Sequence, residues 1–79
     1  MLALDIGNTA VHAGLFQRGR LRRSFSLPTA LARRPDRLRA SLGKGAERLH
    51  EAVICSVVPW ATPMVVRALR AAGCPRVRI

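Results

Sequence analysis

The 79-residue sequence predicts a mixed α/β unit whose elements run β-β-β-α-β-α-β. Three observations carry this expectation. Within Ala10 to Phe16 and again within Leu21 to Leu27, apolar residues fall on one side of an alternating pattern, the period of half-buried strands. A nearly unbroken apolar run, Glu51 to Val58, reads as a strand covered on both faces. Immediately after it, Thr62-Pro63 opens a stretch of helical spacing.

Met1 to Ile6 reads as a short buried strand entering a Gly-Asn turn. Ala10 to Phe16 follows as a second strand, with Val11, Ala13 and Leu15 on one face and His12 on the other. Gln17-Arg18-Gly19-Arg20 supplies a tight turn in which Gly is free to take a positive φ. Leu21, Phe25 and Leu27 then alternate with Arg22, Ser24 and Ser26 in a third strand half open to solvent, completing an antiparallel meander that Pro28 ends. Pro35 and Asp36 suit a first helical turn, and Leu38 and Leu42 share a face before Gly43-Lys44-Gly45 breaks the helix as a loop. In the second helix Thr62 is the expected N-cap. Val65, Leu69 and Ala72 face inward, Arg67 and Arg70 face away, and Gly73 caps the end. Pro75 to Ile79 begins a last strand.

Composition narrows the class. Hydrophobic residues make up 49%, enough for a packed unit rather than a disordered tail, but aromatics are only 4%, so the core is aliphatic. The formal charge is +10, and Arg supplies all of the basic residues except Lys44. These residues are spread from Arg18 to Arg78, with no Tyr and only two Phe to interleave as stacking platforms. The charge therefore reads as solvated surface rather than a nucleic-acid groove. Cys55 and Cys74 have neither metal-ligand spacing nor the density of a secreted disulfide scaffold, and Cys55, inside the apolar run, is expected in the core. The amino terminus lacks a signal-peptide pattern, and Ser56 and Pro59 interrupt the longest apolar stretch. A soluble, cytoplasmic protein without a membrane partner is expected.

The residues that carry chemistry are Asp5-Ile6-Gly7-Asn8-Thr9 at the first strand-turn-strand junction. Gly7 lets backbone approach a ligand closely, successive N–H groups in such a turn form an anion-binding concavity, and Asn8 and Thr9 add donors at its rim. Asp5 is placed to hold Mg²⁺ directly or through water. Phosphoryl transfer depends mainly on positioning and charge stabilisation, which such a loop supplies. The same five residues also fit an ordinary Gly-Asn hairpin turn with Asp5 satisfying a local N–H.

A second motif, Ser56-Val57-Val58-Pro59, follows the buried strand and leads into the Thr62-Pro63 helix. Together with Asp5-Ile6-Gly7-Asn8-Thr9 and Gly14-Leu15-Phe16, it resembles type III pantothenate kinases, of the acetate-and-sugar-kinase/Hsc70/actin superfamily. The resemblance implies an incomplete ribonuclease-H-like (actin-like ATPase) unit, with residues 1–79 forming its amino-terminal part. It implies that Asp5, Gly7, Asn8 and Thr9 bind ATP phosphates with Mg²⁺, and that a monovalent cation, K⁺ or NH₄⁺, takes part. The implied substrates are ATP and pantothenate, in the first step of coenzyme A synthesis, and the complete enzyme is expected to be a homodimer. The resemblance is loose between Arg18 and Arg48, where the first helix looks short and broken. The family's catalytic Asp and Gly-x-Asp-Arg segment fall beyond residue 79, so no catalytic residue is assigned and the chain alone is expected to be inactive.

Other candidates carry less. Asp36 reads as a carboxylate complementing a helix dipole, and Gly43-Lys44-Gly45 lacks the spacing of a P-loop. His12 and His50 belong to no Ser-His-Asp set, and Trp60 either lines a cleft or covers a core edge. Two other functions stay open at this point. A different kinase or ATPase of the superfamily would show another acceptor on substrate profiling. A non-enzymatic basic accessory or regulatory protein would bind DNA in a steeply salt-dependent way.

Overall fold

The computed structural model describes residues 1–46 and 49–79. Five strands are found among them: β1 (Leu2–Ile6), β2 (Ala10–Gln17), β3 (Arg20–Pro28), β4 (Glu51–Ser56) and β5 (Arg76–Arg78). They form one sheet in the order β3-β2-β1-β4-β5. β2 is antiparallel to β1 and β3, whereas β4 is parallel to β1 and β5 to β4. The helices are α1 (Pro35–Ala46) and α2 (Thr62–Ala71), and a 3₁₀ helix, Thr29–Arg33, precedes α1. The expected element order is therefore observed, with the 3₁₀ helix as an addition.

The meander turns as its sequence dictates. Arg18 and Gly19 both take positive φ, 51° and 74°, in the two-residue loop whose twist matches paired strands. The β2–β3 register slips between Leu15 and Phe16, so Arg22 is the extra residue of a bulge. Phe25 and Leu27 then face the core while Leu21 lies exposed.

Both chain crossovers step the same way across the sheet, and crossovers of one hand place both helices on one face. Leu2, Leu4, Ile6, Val11, Ala13, Ala52 and Ile54 meet Leu38 and Leu42 of α1 and Val65 and Leu69 of α2 in a single core. The opposite face carries Asp5, His12 and Cys55, all exposed. This corrects two expectations. β4 is covered on one face, not both, and Cys55 lies on the exposed face while Cys74 is buried. The apolar run conceals an ordinary strand alternation, because Val53 and Cys55 are small enough to stand on the open side.

α1 also differs from expectation. It continues through Gly43 to Ala46 rather than breaking at Gly43. A helical Gly costs about 1 kcal/mol relative to Ala. Burying Leu38 and Leu42, at 2% and 1% exposure, contributes about 1.5–3 kcal/mol each, so packing prevails. Gly73, at φ 100°, ends α2 as expected: its N–H donates to the Arg70 carbonyl and that of Cys74 to the Leu69 carbonyl, a Schellman arrangement.

Candidate functional site

Parallel pairing of β1 with β4 brings Ile6 and Ser56 side by side, so the segments after both strands emerge at the same end of the sheet. β3 ends there too, since Ala10 pairs with Pro28. Three connections therefore meet: residues 7–9, the 3₁₀ helix Thr29–Arg33 and residues 57–61. This is the carboxyl end of the parallel strands, where open α/β sheets bind ligands.

The first connection is closed by the Gly7 N–H donating to the Ala10 carbonyl at 2.9 Å. A Cβ on Gly7 would lie 3.2 Å from that same Ala10 oxygen, so glycine here serves close approach of backbone rather than a left-handed φ. Thr29 grips the turn from the side. Its hydroxyl donates to the Gly7 carbonyl at 2.6 Å, and its N–H donates to the Thr9 carbonyl at 2.9 Å. Thr29 is completely buried, the one polar residue buried among those described. With the carbonyls of Gly7 and Thr9 turned toward Thr29, the N–H groups of Asn8 and Thr9 have no acceptor among the described residues. Both residues are exposed. Two free, adjacent amide donors at the tip of a braced turn are the kind of arrangement that can form an anion-binding concavity.

Asp5 is also exposed, two residues earlier on the outward sheet face, in register with His12 on one side and Cys55 on the other. No group of three His, Cys, Asp or Glu suited to hold a metal exists among the described residues. A lone carboxylate near a turn with free amide donors would suit Mg²⁺, which keeps several waters and takes other ligands from a bound phosphate. It does not fit a transition-metal cage.

The third connection is built on Ser56. Its hydroxyl accepts from the Val58 N–H at 3.1 Å and from the Thr62 hydroxyl at 2.8 Å. The Val57 N–H donates to the Ile6 carbonyl at 3.1 Å, tying this connection to the root of the first. Thr62 was expected to cap α2; instead Ala61 is the cap position and Thr62 the first helical residue. Its hydroxyl finds better partners in Ser56 and the Val58 carbonyl, 3.2 Å away, than in its own helix. Trp60, 42% exposed, lies beneath the Arg33 guanidinium, which stands 4.3 Å from the ring centroid.

The structure thus unites Gly7, Asn8, Thr9 and the Ser56 segment at one end of the sheet. A profile of the family described as type III pantothenate kinase matches residues 1–79. The chain belongs to the type III pantothenate kinase family. A member named "Type III pantothenate kinase" from Agathobacter rectalis is 39% identical over a 66-residue alignment. That alignment takes in 75% of this chain and 25% of the relative, so the match spans about a quarter of the relative's length. The five-stranded sheet with two helices is compatible with an incomplete actin-like ATPase unit.

The remaining sequence candidates lie elsewhere. Gly14-Leu15-Phe16 is at the opposite end of the sheet, where Phe16 exchanges hydrogen bonds of 2.8 Å with Met1. Gly14 makes room for Phe16 and Leu21, whose ring and methyl atoms would lie 3.2 and 3.1 Å from an added Cβ. Asp36 is exposed in the first turn of α1, as a dipole-complementing carboxylate should be. His50 is exposed before β4, far from the loop end, and His12 is exposed on β2 beside Asp5. Sequence reasoning missed Thr29 and Arg33. Pro28-Thr29 at a strand end is a turn signal, but nothing local says which carbonyl the hydroxyl will reach.

Proposed function

We propose that this chain is the amino-terminal part, residues 1–79, of the actin-like ATPase domain of an enzyme that phosphorylates pantothenate with ATP. The observation that carries the reading is the braced turn: Thr29 turns the Gly7 and Thr9 carbonyls aside, leaving the Asn8 and Thr9 N–H groups to receive phosphate oxygens. In this reading Gly7 admits the phosphate chain, Asn8 and Thr9 donate to it, and Asp5 holds Mg²⁺ directly or through water. Mg²⁺ would neutralise charge on the phosphates. The chain's own residues bind and orient. Preorganised donors of this kind stabilise developing charge without reorganising.

Family membership supports ATP and pantothenate as substrates, and a monovalent cation, K⁺ or NH₄⁺, and a homodimeric complete enzyme belong to the same proposal. So does a cytoplasmic location; among the described residues, no helix is long and apolar enough to cross a membrane. The chain matches only 25% of its relative. The 79 residues alone are accordingly expected to bind phosphate without catalysing its transfer.

The test is ATP-dependent phosphorylation of pantothenate, measured on the protein carrying this chain and on the 79 residues alone, against a panel of other hydroxyl acceptors. The reading expects pantothenate to be the preferred acceptor of the former, Gly7→Val to depress turnover by crowding the turn, and the latter to stay at background. Preference for another acceptor, or robust turnover by the 79 residues, overturns it.

A further inference from the structure

Arg33 is held in a way that an incidental surface arginine is not. Its guanidinium stands 4.3 Å from the centroid of the Trp60 ring, well within cation–π range. A guanidinium stacked face-on over a ring keeps its in-plane N–H fork available, the geometry that receives a carboxylate or phosphate with two parallel hydrogen bonds. Among the described residues, no side-chain or backbone acceptor takes those donors. The ion pair found there, Arg78 with Glu51 at 3.8 Å, joins β5 to β4 and does not involve Arg33.

The placement of the pair gives that free fork a direction. Arg33 ends the 3₁₀ helix whose first residue, Thr29, grips both Gly7 and Thr9. Trp60 sits in the connection whose Val57 N–H is bonded to the Ile6 carbonyl, immediately before Gly7. The two elements that brace the loop at its flanks therefore join again through Arg33 and Trp60, and the cation belongs to the same end of the sheet as the Asn8 and Thr9 amides. Stacking also limits the rotamers of a long side chain, so less freedom is lost when an anion arrives.

Resting on the reading of residues 7–9 as a phosphate loop, we infer that Arg33, preorganised by Trp60, is a second oxyanion-binding group of the site. It receives a phosphate of the nucleotide or the carboxylate of the acceptor substrate. Trp60 is a positioning residue in this arrangement; it orients Arg33 and does not itself touch the anion.

Trp60 is the one tryptophan in a chain without tyrosine, so its emission reports the stacked pair directly. The experiment titrates the 79-residue protein, isotope-labelled for amide NMR, and its Arg33→Gln variant with inorganic triphosphate and separately with pantothenate. Trp60 emission and calorimetry are the readouts. Saturable change in the parent protein and affinity weakened roughly tenfold or more in Arg33→Gln are expected, as for loss of a hydrogen bond to a charged group. The melting temperature of that variant should stay within about 5 °C of the parent, because an exposed cation–π contact contributes little to stability. Weakening confined to triphosphate assigns the anion to the nucleotide, and weakening confined to pantothenate assigns it to the acceptor.

Equal affinity of Arg33→Gln and the parent for both anions overturns the inference. If triphosphate still shifts the Asn8 and Thr9 amide resonances, the phosphate-loop reading still stands. Loss in Arg33→Gln with the Asn8 and Thr9 amide resonances unmoved by triphosphate upholds Arg33 and removes the loop reading. No binding by the parent protein removes both.

Discussion

Replacing Thr29 with Val exchanges one hydroxyl for a methyl of similar size at a site with no exposure, so packing is kept and a hydrogen bond of 2.6 Å is lost. Simple loss of such a bond costs about 1 kcal/mol, and an acceptor left unsatisfied costs about 1–3 kcal/mol. The Gly7 carbonyl is partly buried and has few alternatives to Thr29, which places the expected cost near 2 kcal/mol. For a chain of 79 residues the whole stability is about 4–12 kcal/mol, so the loss is a substantial share. It corresponds to a melting temperature lowered by about 10 °C. Urea unfolding followed by Trp60 emission measures it, with Thr29→Ser as the control that keeps the hydroxyl and should recover most of the loss. The same Val variant should weaken ATP binding, because the Gly7 carbonyl is no longer held away from the loop's anion side. A Val variant as stable as the parent, within about 0.3 kcal/mol, would refute the claim that Thr29 braces the turn.

Gly43→Ala should stabilise the protein by about 0.5–1 kcal/mol in thermal unfolding, since the added methyl meets nothing within 4 Å inside α1; destabilisation would mean the helix does not continue there. Leu69→Ala, at a position with no exposure, should cost about 2–5 kcal/mol, which circular dichroism would register as a large loss of cooperative folding. Thr62→Val and Ser56→Ala should each cost about 1 kcal/mol in urea unfolding. Because the two hydroxyls lie 2.8 Å apart, the double mutant should cost less than the sum by at least roughly 0.5 kcal/mol.

The parts of this fold legible in the sequence are those set by local periodicity and by residues with narrow backbone preferences. Val11 and Ala13 against His12 gave the second strand, Gly19 its turn, and Gly73 the end of α2, each through chemistry confined to a few neighbours. What was not legible depends on which surfaces meet. Cys55 sits in an apolar run, yet it faces outward because both helices lie across the other side of the sheet. Gly43 reads as a breaker, but the buried Leu38 and Leu42 carry α1 through it. Thr62 reads as a cap, but its hydroxyl turns to Ser56, six residues back across the β4–α2 connection.

The candidate site divides in the same way. Asp5, Gly7, Asn8 and Thr9 permit a phosphate loop by residue type and spacing but also fit an ordinary Gly-Asn turn, and the Ser56 segment points to the family. The bracing of that loop does not show locally. Thr29 reaches Gly7 across 22 positions of sequence, and Arg33 meets Trp60 only once two separate connections are brought to one end of the sheet.

The central claim is that the Asn8 and Thr9 amides receive nucleotide phosphate, and backbone amide NMR of the isotope-labelled protein during an ATP titration tests it most directly. The account predicts saturable shifts largest at Asn8 and Thr9, smaller shifts at Thr29 and Val57, and still resonances at Asp36 and Gly43. Shifts that leave Asn8 and Thr9 unmoved while spreading over the arginine-bearing surface, and that vanish with added salt, would contradict it.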